Sequence, residues 1–448
     1  MRLLPALPLA ARGCRAVAAA IALLFLAGDA PEAGGGQSSA AGVPACDPDN
    51  GGLELPDGFC ALVVADGLGG IRHIDVAANG DIYIRNRGVR GGRGEATGDG
   101  IVALRDADGD GRAEVIERFG DNFGSGLELR NGYLYASTAT EVFRHALTPG
   151  RLVPTGQPEL IVSGFPVQRG HRDKAFAFDA DGNIYVNVGA PSNACQQRAR
   201  TAGSPGRQPC PERERQASVW RFDADRPGQT QADDGYKFAH GTRNLLGMAW
   251  DPATRAVYAM QHGRDSLATL FGSYFDDAES AELPSEELFR LRDGADFGWP
   301  YCYYDHFLDR RVLAPEYGGD GEAEGDCGRY ERPLVAFPGH WAPHDMLFYT
   351  GDQFPERYRD GAFVAFHGSW NRAPMEQQGY QVAFAPRRDG EFTGKWETFA
   401  GGFAAESPLV SPQDAAHRPA GIGQGPDGSV YVTDDAGGRV WRIVYRGM

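Results

Sequence analysis

One contiguous run of acidic residues has the spacing of a calcium-binding loop. The run DADGDGRAEVIE occupies residues 106–117. Acids at loop positions one, three and five, glycine at six and glutamate at twelve fit the pattern that supplies Ca²⁺ with oxygen ligands. The candidate ligands are the side chains of Asp106, Asp108, Asp110 and Glu114 or Glu117, and the main-chain carbonyl of Arg112. The flanking segments IVAL and VIERF are typical of strands. We therefore predict a structural calcium site on a hairpin; the alternative is a solvated acidic turn.

A second group of polar residues is dispersed over the chain in short phrases. These are GHRDK (170–174), GTRNL (241–245), QHGRD (261–265), GADFGWPYC (294–302), HWAPHD (340–345), HGSWNR (367–372) and HRP (417–419). If the fold brings them together, Arg243, Arg372 and Arg418 would bind a ligand that carries several carboxylates. His171 would be the base. Taken singly, a histidine or arginine is more often a surface or packing residue than a functional one; together the phrases favour function.

A recurring turn-and-strand phrase indicates the elements that must position these residues. The six copies are DIYIRN after Asn79-Gly80, YLYAST after Asn131-Gly132, NIYVNV after Asp181-Gly182, RAVYAMQ at Thr254, AFVAFH after Asp360-Gly361 and SVYVTD after Asp427-Gly428. Such turn pairs favour tight hairpins, and the alternating strands are half-buried. We predict an all-β fold, a single six-bladed β-propeller; the alternative is a pair of β-sandwiches. In a propeller the dispersed phrases meet at one mouth of the central channel.

Composition agrees with a turn-rich β protein. The 448 residues include 62 Gly and 29 Pro, and 42% are hydrophobic, which suffices for a large core. The net charge is −16 and no long basic run occurs. A nucleic acid partner is therefore not expected.

The first 28 residues have the features of an export signal. Three arginines precede an apolar run at 17–27, and small residues follow it. The run is too short for a stable membrane span; the alternative is a short uncleaved anchor. Residues 29–45 are rich in Gly, Ala and Ser and predict a flexible lead-in. The propeller would then comprise residues 46–448 of a periplasmic or secreted protein.

Six cysteines remain after Cys14 leaves with the signal, and they fall into three close pairs. Their proximity in an oxidising compartment predicts the disulfides Cys46–Cys60, Cys195–Cys210 and Cys302–Cys327. Six cysteines allow fifteen connectivities, so the pairing rests on proximity alone.

Longer phrases resemble the soluble glucose/sorbosone dehydrogenases that depend on pyrroloquinoline quinone (PQQ), the aldose sugar dehydrogenase family. The phrases are GHRDKAFAFDADGNIYVNVGAPSNAC, GTRNLLGMAWDP, GADFGWP, FYTGDQFP, HGSWNR and RPAGIGQGPDGSVYVTDD. The resemblance extends from Leu53 to Tyr445, and it implies the following roles. His171 is the general base; Arg243, Asn244, Arg372, Arg418 and Lys174 contact the cofactor; the carbonyls of Gly263 and Arg264 bind the active-site Ca²⁺. Lys174 stands where the family usually has Arg, and Leu245 where Pro is usual.

The reaction implied by the resemblance is the oxidation of an aldose or related sugar. Hydride passes from the anomeric carbon to C5 of PQQ, Ca²⁺ polarises the quinone carbonyl, and His171 takes the hydroxyl proton. The sequence contains no CxxCH haem signature, so the electrons would pass to an external quinone or cytochrome. Two alternatives are a calcium-dependent hydrolase of the lactonase type, which needs acids in the channel, and a non-catalytic binding propeller.

Overall fold

The structure is a computed structural model that describes residues 44–88 and 99–447. The predicted export signal (1–28) and all but the last two residues of the predicted lead-in (29–45) lie outside these residues. The described residues form six antiparallel sheets, each with four main strands, arranged as the blades of a β-propeller. The predicted fold is therefore confirmed.

The strands are numbered in chain order. The first fourteen are β1 Phe59–Ala65, β2 Ile71–Val76, β3 Ile82–Asn86, β4 Ile101–Arg105, β5 Val115–Phe119, β6 Leu127–Arg130, β7 Tyr133–Ser137, β8 Val142–Ala146, β9 Glu159–Ser163, β10 Phe176–Phe178, β11 Asn183–Val188, β12 Ser218–Asp223, β13 Gln229–Thr230 and β14 Tyr236–His240. The remainder are β15 Leu245–Asp251, β16 Ala256–Gln261, β17 Glu286–Arg290, β18 Cys302–Asp305, β19 Arg310–Leu313, β20 Val335–Phe337, β21 Pro343–Phe348, β22 Gly361–Phe366, β23 Gln381–Arg388, β24 Glu391–Phe392, β25 Glu397–Ala400, β26 Pro419–Gln424, β27 Val430–Asp434 and β28 Val440–Tyr445.

Five blades are built from consecutive parts of the chain. Their main strands are β2 to β5, β6 to β9, β10 with β11, β12 and β14, β15 with β16, β17 and β20, and β21 with β22, β23 and β25. The sixth blade adds β1 to β26, β27 and β28, with Phe59 opposite Tyr445 and Val63 opposite Trp441. Strands from the two ends of the described chain thus share one sheet, which closes the ring.

The six turn-and-strand phrases form the second strand of each blade, namely β3, β7, β11, β16, β22 and β27. In the turn before β7, Asn131 (φ 50°) and Gly132 (φ 79°) both have the left-handed conformation that a tight two-residue hairpin requires. These second strands are largely buried, because apolar residues of adjacent blades pack between the sheets. Ile161 and Val162 of one blade, for example, lie in one cluster with Val186 and Trp220 of the next.

The insertions carry the two helices and two of the three disulfides. Helices α1 (Leu267–Phe271) and α2 (Asp277–Glu282) lie between β16 and β17. Cys195–Cys210 closes the loop between β11 and β12, and Cys302–Cys327 joins the β18–β19 hairpin to the turn that follows it. With Cys46–Cys60 near the start of β1, all three predicted disulfides are confirmed. In the part of the chain that the structure describes, no helix is long and apolar enough to span a bilayer.

Candidate active site

Segments from four neighbouring blades line a cavity of about 520 Å³ at one end of the propeller. Most of these segments either lead into the first strand of a blade or follow directly after its second strand. The sequence motifs were expected to meet in this way. Five of the ten histidines in the chain line the cavity, and they are His171, His262, His340, His344 and His367.

His171 lies on the loop that leads into β10, and its ring is fixed in one orientation. Its Nδ1 donates a hydrogen bond to the carbonyl of Ala190 over 2.6 Å. Because a carbonyl only accepts, the proton resides on Nδ1 and Nε2 carries the free lone pair. Burial lowers the pKa of His171 to about 3, with a further contribution from the positive charge of Arg243. The imidazole is therefore a neutral proton acceptor at ordinary pH.

The backbone around His171 is held by a single amide side chain. Nε2 of Gln168 lies within 2.8 to 2.9 Å of the carbonyl oxygens of Gly170, His171 and Gly189. His171 itself has a positive φ of 46°, which is uncommon for a residue with a side chain. These contacts keep the loop in a conformation that directs the imidazole into the cavity.

Arg243 is buried beside Asp265, which also joins two other segments of the cavity. Nη2 of Arg243 lies 3.0 Å from Oδ2 of Asp265, and the guanidinium also contacts Asn193. Asp265 accepts further hydrogen bonds from Arg200 at 2.8 Å and Asn371 at 3.1 Å. Burial by itself would raise the pKa of Asp265, but these cations hold it below its ordinary value. Nη1 of Arg243 makes no hydrogen bond with the described residues, so this donor remains for a ligand.

Arg418 also lines the cavity, directly before β26 and beside a stacked pair of histidines. Its guanidinium donates to the carbonyls of His367 and Gly368 and to Nδ1 of His367. Nε2 of His367 in turn donates to Asp435 over 2.6 Å. The ring of His344 stacks on that of His367 with centroids 4.0 Å apart. Nη1 of Arg418 also has no hydrogen-bond partner among the described residues.

Gly263 lines the cavity and is held in place by a buried carboxyl group. The two oxygens of Glu286 accept hydrogen bonds from the backbone N–H groups of Gly263 (2.8 Å) and Ala342 (3.1 Å). Burial raises the pKa of Glu286 to about 8 despite these bonds. The neighbouring Arg264 directs its side chain away from the cavity to Glu316, at 2.5 Å. Any metal contact from Arg264 would therefore come from its backbone.

Three predicted cofactor contacts do not line the cavity. Lys174 is fully buried, and its ammonium donates to the carbonyl of Arg172 over 2.7 Å. Asn244 lies behind His262 and contacts Nδ1 of that ring over 3.0 Å. Arg372 is buried with its guanidinium on backbone carbonyls and on Glu282. The adjacent residue, Asn371, lines the cavity instead.

The acidic loop 106–117 forms the turn between β4 and β5, so the predicted hairpin is present. Asp106, Asp108, Asp110 and Glu114 place one carboxylate oxygen each within 4.8 Å of one another. Glu117 does not join them, because it lies on β5 opposite Ala103. The sequence pattern left open which glutamate takes part, and the structure brings Glu114 to the group.

A larger cavity of about 900 Å³ shares no lining residue with this site and contains none of the predicted site residues. Its lining includes Gln377 and Tyr380, each of which has a polar atom without a hydrogen-bond partner among the described residues. Those two atoms are inaccessible to solvent, so a ligand in the cavity would not reach them. We therefore place the functional site in the smaller cavity.

Several residues of the site were not assigned a role from the sequence. His262, His367 and Asp435 each follow directly after the second strand of a blade. This shared position is the signal that would have identified them, because the second strands end beside the channel mouth. Glu286 begins β17, and nothing in the sequence distinguishes it from other strand residues.

The comparisons with known proteins agree with this architecture. A family model described as TrAA12-like matches residues 53–446, so the chain belongs to the TrAA12-like family. It is 26% identical over 282 residues to the pyrroloquinoline quinone-dependent pyranose dehydrogenase of Coprinopsis cinerea, which is 55% of this chain and 37% of that protein. The match to each curated relative spans less than half of that relative's length.

Two solved structures have the same fold. The holo form of the PQQ domain of Coprinopsis cinerea pyranose dehydrogenase superimposes with a TM-score of 0.68 at 20% identity, covering 88% of this chain and 97% of that one. The calcium structure of a Trichoderma reesei carbohydrate-active enzyme of family AA12 gives a TM-score of 0.70 at 16% identity, with the same coverage. The resemblance to the PQQ-dependent sugar dehydrogenases that the sequence motifs indicated is confirmed.

Proposed function

We propose that this protein is a PQQ- and Ca²⁺-dependent oxidoreductase that oxidises an aldose or related sugar at its anomeric carbon. The observation that carries the proposal is the state of His171. Its Nδ1 is committed to the carbonyl of Ala190 and its ring lines the cavity, so Nε2 is the nitrogen left to accept a proton. A neutral imidazole with a free Nε2 in a cavity between two arginines is suited to accept a hydroxyl proton.

The donors around the cavity suit a cofactor with several carboxylates. Arg243 and Arg418 lie on the segments that lead into different blades, and each has one guanidinium nitrogen without a partner among the described residues. Charge-assisted hydrogen bonds from arginine to carboxylate are among the strongest in proteins. A volume of about 520 Å³ lies within the range of cofactor sites. Arg243 and Arg418 would thus hold the carboxylates of PQQ.

Calcium would bind beside Gly263, through the backbone carbonyls of Gly263 and Arg264. Ca²⁺ prefers hard oxygen ligands, and carbonyls are common among them. The side chain of Asp265 is already bonded to Arg243, Arg200 and Asn371, which favours backbone ligands here. When bound, PQQ supplies a two-electron hydride acceptor and Ca²⁺ polarises its carbonyl.

The chain's own contribution to the reaction is to orient the substrate and to move one proton. His171 Nε2 accepts the proton of the anomeric hydroxyl as hydride leaves the same carbon, which gives the lactone. The Nδ1–H bond to Ala190 fixes the ring during this transfer. It also stabilises the imidazolium that forms, because the carbonyl still accepts from Nδ1 after protonation. The electrons then pass to an external acceptor.

The proposed location is the periplasm or the extracellular space. Three disulfides in the described residues support an oxidising compartment. The apolar run at 17–27 fits an export signal.

Reconstitution of the purified protein tests the proposal. We expect bound PQQ to be reduced by an aldose when PQQ and Ca²⁺ are both present, with reduction of an artificial dye, and no reduction after chelation of Ca²⁺. Arg418→Gln is the matched variant and should need more PQQ for saturation. Failure of the saturated protein to oxidise any of a broad panel of aldoses would contradict the proposal. Hydrolysis of sugar lactones without PQQ would instead support the lactonase alternative.

A further inference from the structure

An exposed tryptophan stands at the cavity. Trp370 is 61% exposed, and of the large exposed apolar residues in the described chain it alone lines this cavity. An exposed tryptophan at the lining of a cavity offers a large apolar contact surface, because its ring loses contact with water when a ligand covers it.

The turn that carries Trp370 is anchored to neighbouring segments by hydrogen bonds. Trp370, Asn371 and Arg372 form one short 3₁₀ turn, separated from the end of β22 by three residues. Ser369 caps this turn by accepting from the N–H of Asn371, and its hydroxyl donates to the carbonyl of His340 over 3.0 Å. The side chain of Asn371 is anchored on Asp265. The ring of Trp370 is therefore carried by an ordered turn, which loses little conformational freedom when a ligand binds.

Arg372 completes this anchor. Its guanidinium donates to the carbonyls of Ala281 (2.7 Å), Gly339 (3.1 Å) and Glu376 (3.0 Å) and reaches the carboxylate of Glu282. It thereby ties the turn to helix α2 and to the segment before β21. This explains why an arginine next to the cavity does not line it: Arg372 positions Trp370 and Asn371.

The chemistry around Trp370 suits a sugar ring. Trp370 shares the lining of this cavity with Gln413, whose Nε2 makes no hydrogen bond with the described residues, and with His171, whose Nε2 is likewise unengaged. A pyranose has C–H groups on its ring faces and hydroxyls around its edge, so it needs one apolar surface and several hydrogen-bonding groups. We propose that Trp370 is the stacking surface that recognises a pyranose ring at this site. This inference rests on the proposed function and adds the residue that recognises the ring of the substrate.

Substitution of Trp370 tests the inference through binding and turnover together. Trp370→Ala should raise the KM for the pyranose that the wild type oxidises best by about tenfold, with kcat within about threefold, because stacking contributes equally before and during the reaction. Trp370→Phe should recover most of the loss. Val410→Ala is the matched control, since Val410 is 76% exposed but does not line the cavity; it should leave KM unchanged.

Two direct titrations make the result decisive. PQQ binding to Trp370→Ala should match the wild type within about twofold; a loss of tenfold or more would overturn the inference, because Trp370 would then contact the cofactor. Calorimetric titration with glucose, galactose, mannose and cellobiose, with and without PQQ, does not depend on turnover. If the wild type oxidises no sugar, the proposed function fails, yet pyranose binding that Trp370→Ala weakens still supports the inference. Equal binding by wild type and variant, or no binding by the wild type, overturns it.

Discussion

The cavity and the acidic hairpin both collect charged groups that suit a ligand, but they do so in opposite ways. The hairpin places four carboxylates close together from nine consecutive residues, three of them exposed to solvent. The cavity draws its groups from four blades and buries most of them. Water screens charges in the hairpin, whereas burial strengthens every interaction in the cavity.

The difference appears in the ionisation of the buried groups. Burial lowers the pKa of both His171 and His262 to about 3 and raises that of Glu286 to about 8. Such shifts are typical of functional sites. Local sequence thus suffices to bring four carboxylates together in one turn, while the environment of the cavity requires the packing of several blades.

The largest effect that would test this contrast is the loss of the proposed base, His171. His171→Ala should lower the rate of single-turnover PQQ reduction by about 10²–10⁴-fold, because no other group would accept the hydroxyl proton as effectively. Cofactor binding should persist through Arg243 and Arg418. His171→Gln should be nearly as slow, since an amide is a very poor base.

His306→Ala is the matched control for this test, because His306 does not line the cavity and should keep the wild-type rate. If His171→Ala reduces its PQQ within about threefold of the wild-type rate, another group must be the general base. His344, which also lines the cavity, would then be the next candidate.

The next largest effect distinguishes the roles of two arginines, Arg418 and Arg372. Arg418→Gln should weaken PQQ binding by about 10–100-fold, because it removes charge-assisted hydrogen bonds. Arg372→Gln should instead lower the free energy of unfolding by about 2 kcal/mol, because it leaves three carbonyls and the partly exposed carboxylate of Glu282 without their donor. Equilibrium PQQ titration and denaturant unfolding measure the two effects. Equal losses of PQQ affinity in the two variants would contradict the assignment of Arg418 to cofactor binding and of Arg372 to stability.

A smaller effect is expected at the hairpin. Asp108→Ala should reduce the stabilisation that Ca²⁺ confers, which is about 2.7 kcal/mol at a hundredfold excess over Kd, and should leave PQQ binding intact. Thermal unfolding with and without Ca²⁺ is the measurement. Glu117→Ala is the matched control, since Glu117 lies apart from the other carboxylates and should not alter the calcium response. Loss of PQQ binding in Asp108→Ala would show that the two regions are coupled.

The smallest expected effect concerns the pH at which the His171 imidazole becomes protonated. Because burial lowers its pKa to about 3, the basic form persists as the pH falls from 8 to 5, where an ordinary imidazole with a pKa of about 6.5 would become protonated. NMR titration of the histidine rings in the protein without cofactor should find His171 neutral over this range. A midpoint near the ordinary value would mean that the cavity does not desolvate the ring.

Much of the fold followed from the sequence because its signals are local. The hairpin turn at Asn131-Gly132 and the strand after it are specified by adjacent residues, and six such phrases predicted six blades. The three disulfides join cysteines 14, 15 and 25 residues apart, so proximity along the chain sufficed. The acidic turn was found for the same reason.

The composition of the site was decided only by the tertiary structure. Arg372 and Arg418 both occur in polar phrases near repeat strands, yet only Arg418 lines the cavity. His367 and Asp435 are separated by 68 residues, and Asp265 joins side chains from three segments. The physical reason is that contacts between blades depend on how the sheets pack around the axis, and no short stretch of sequence encodes that packing. The sequence therefore determined which elements form, and the closed ring of blades determined which side chains meet.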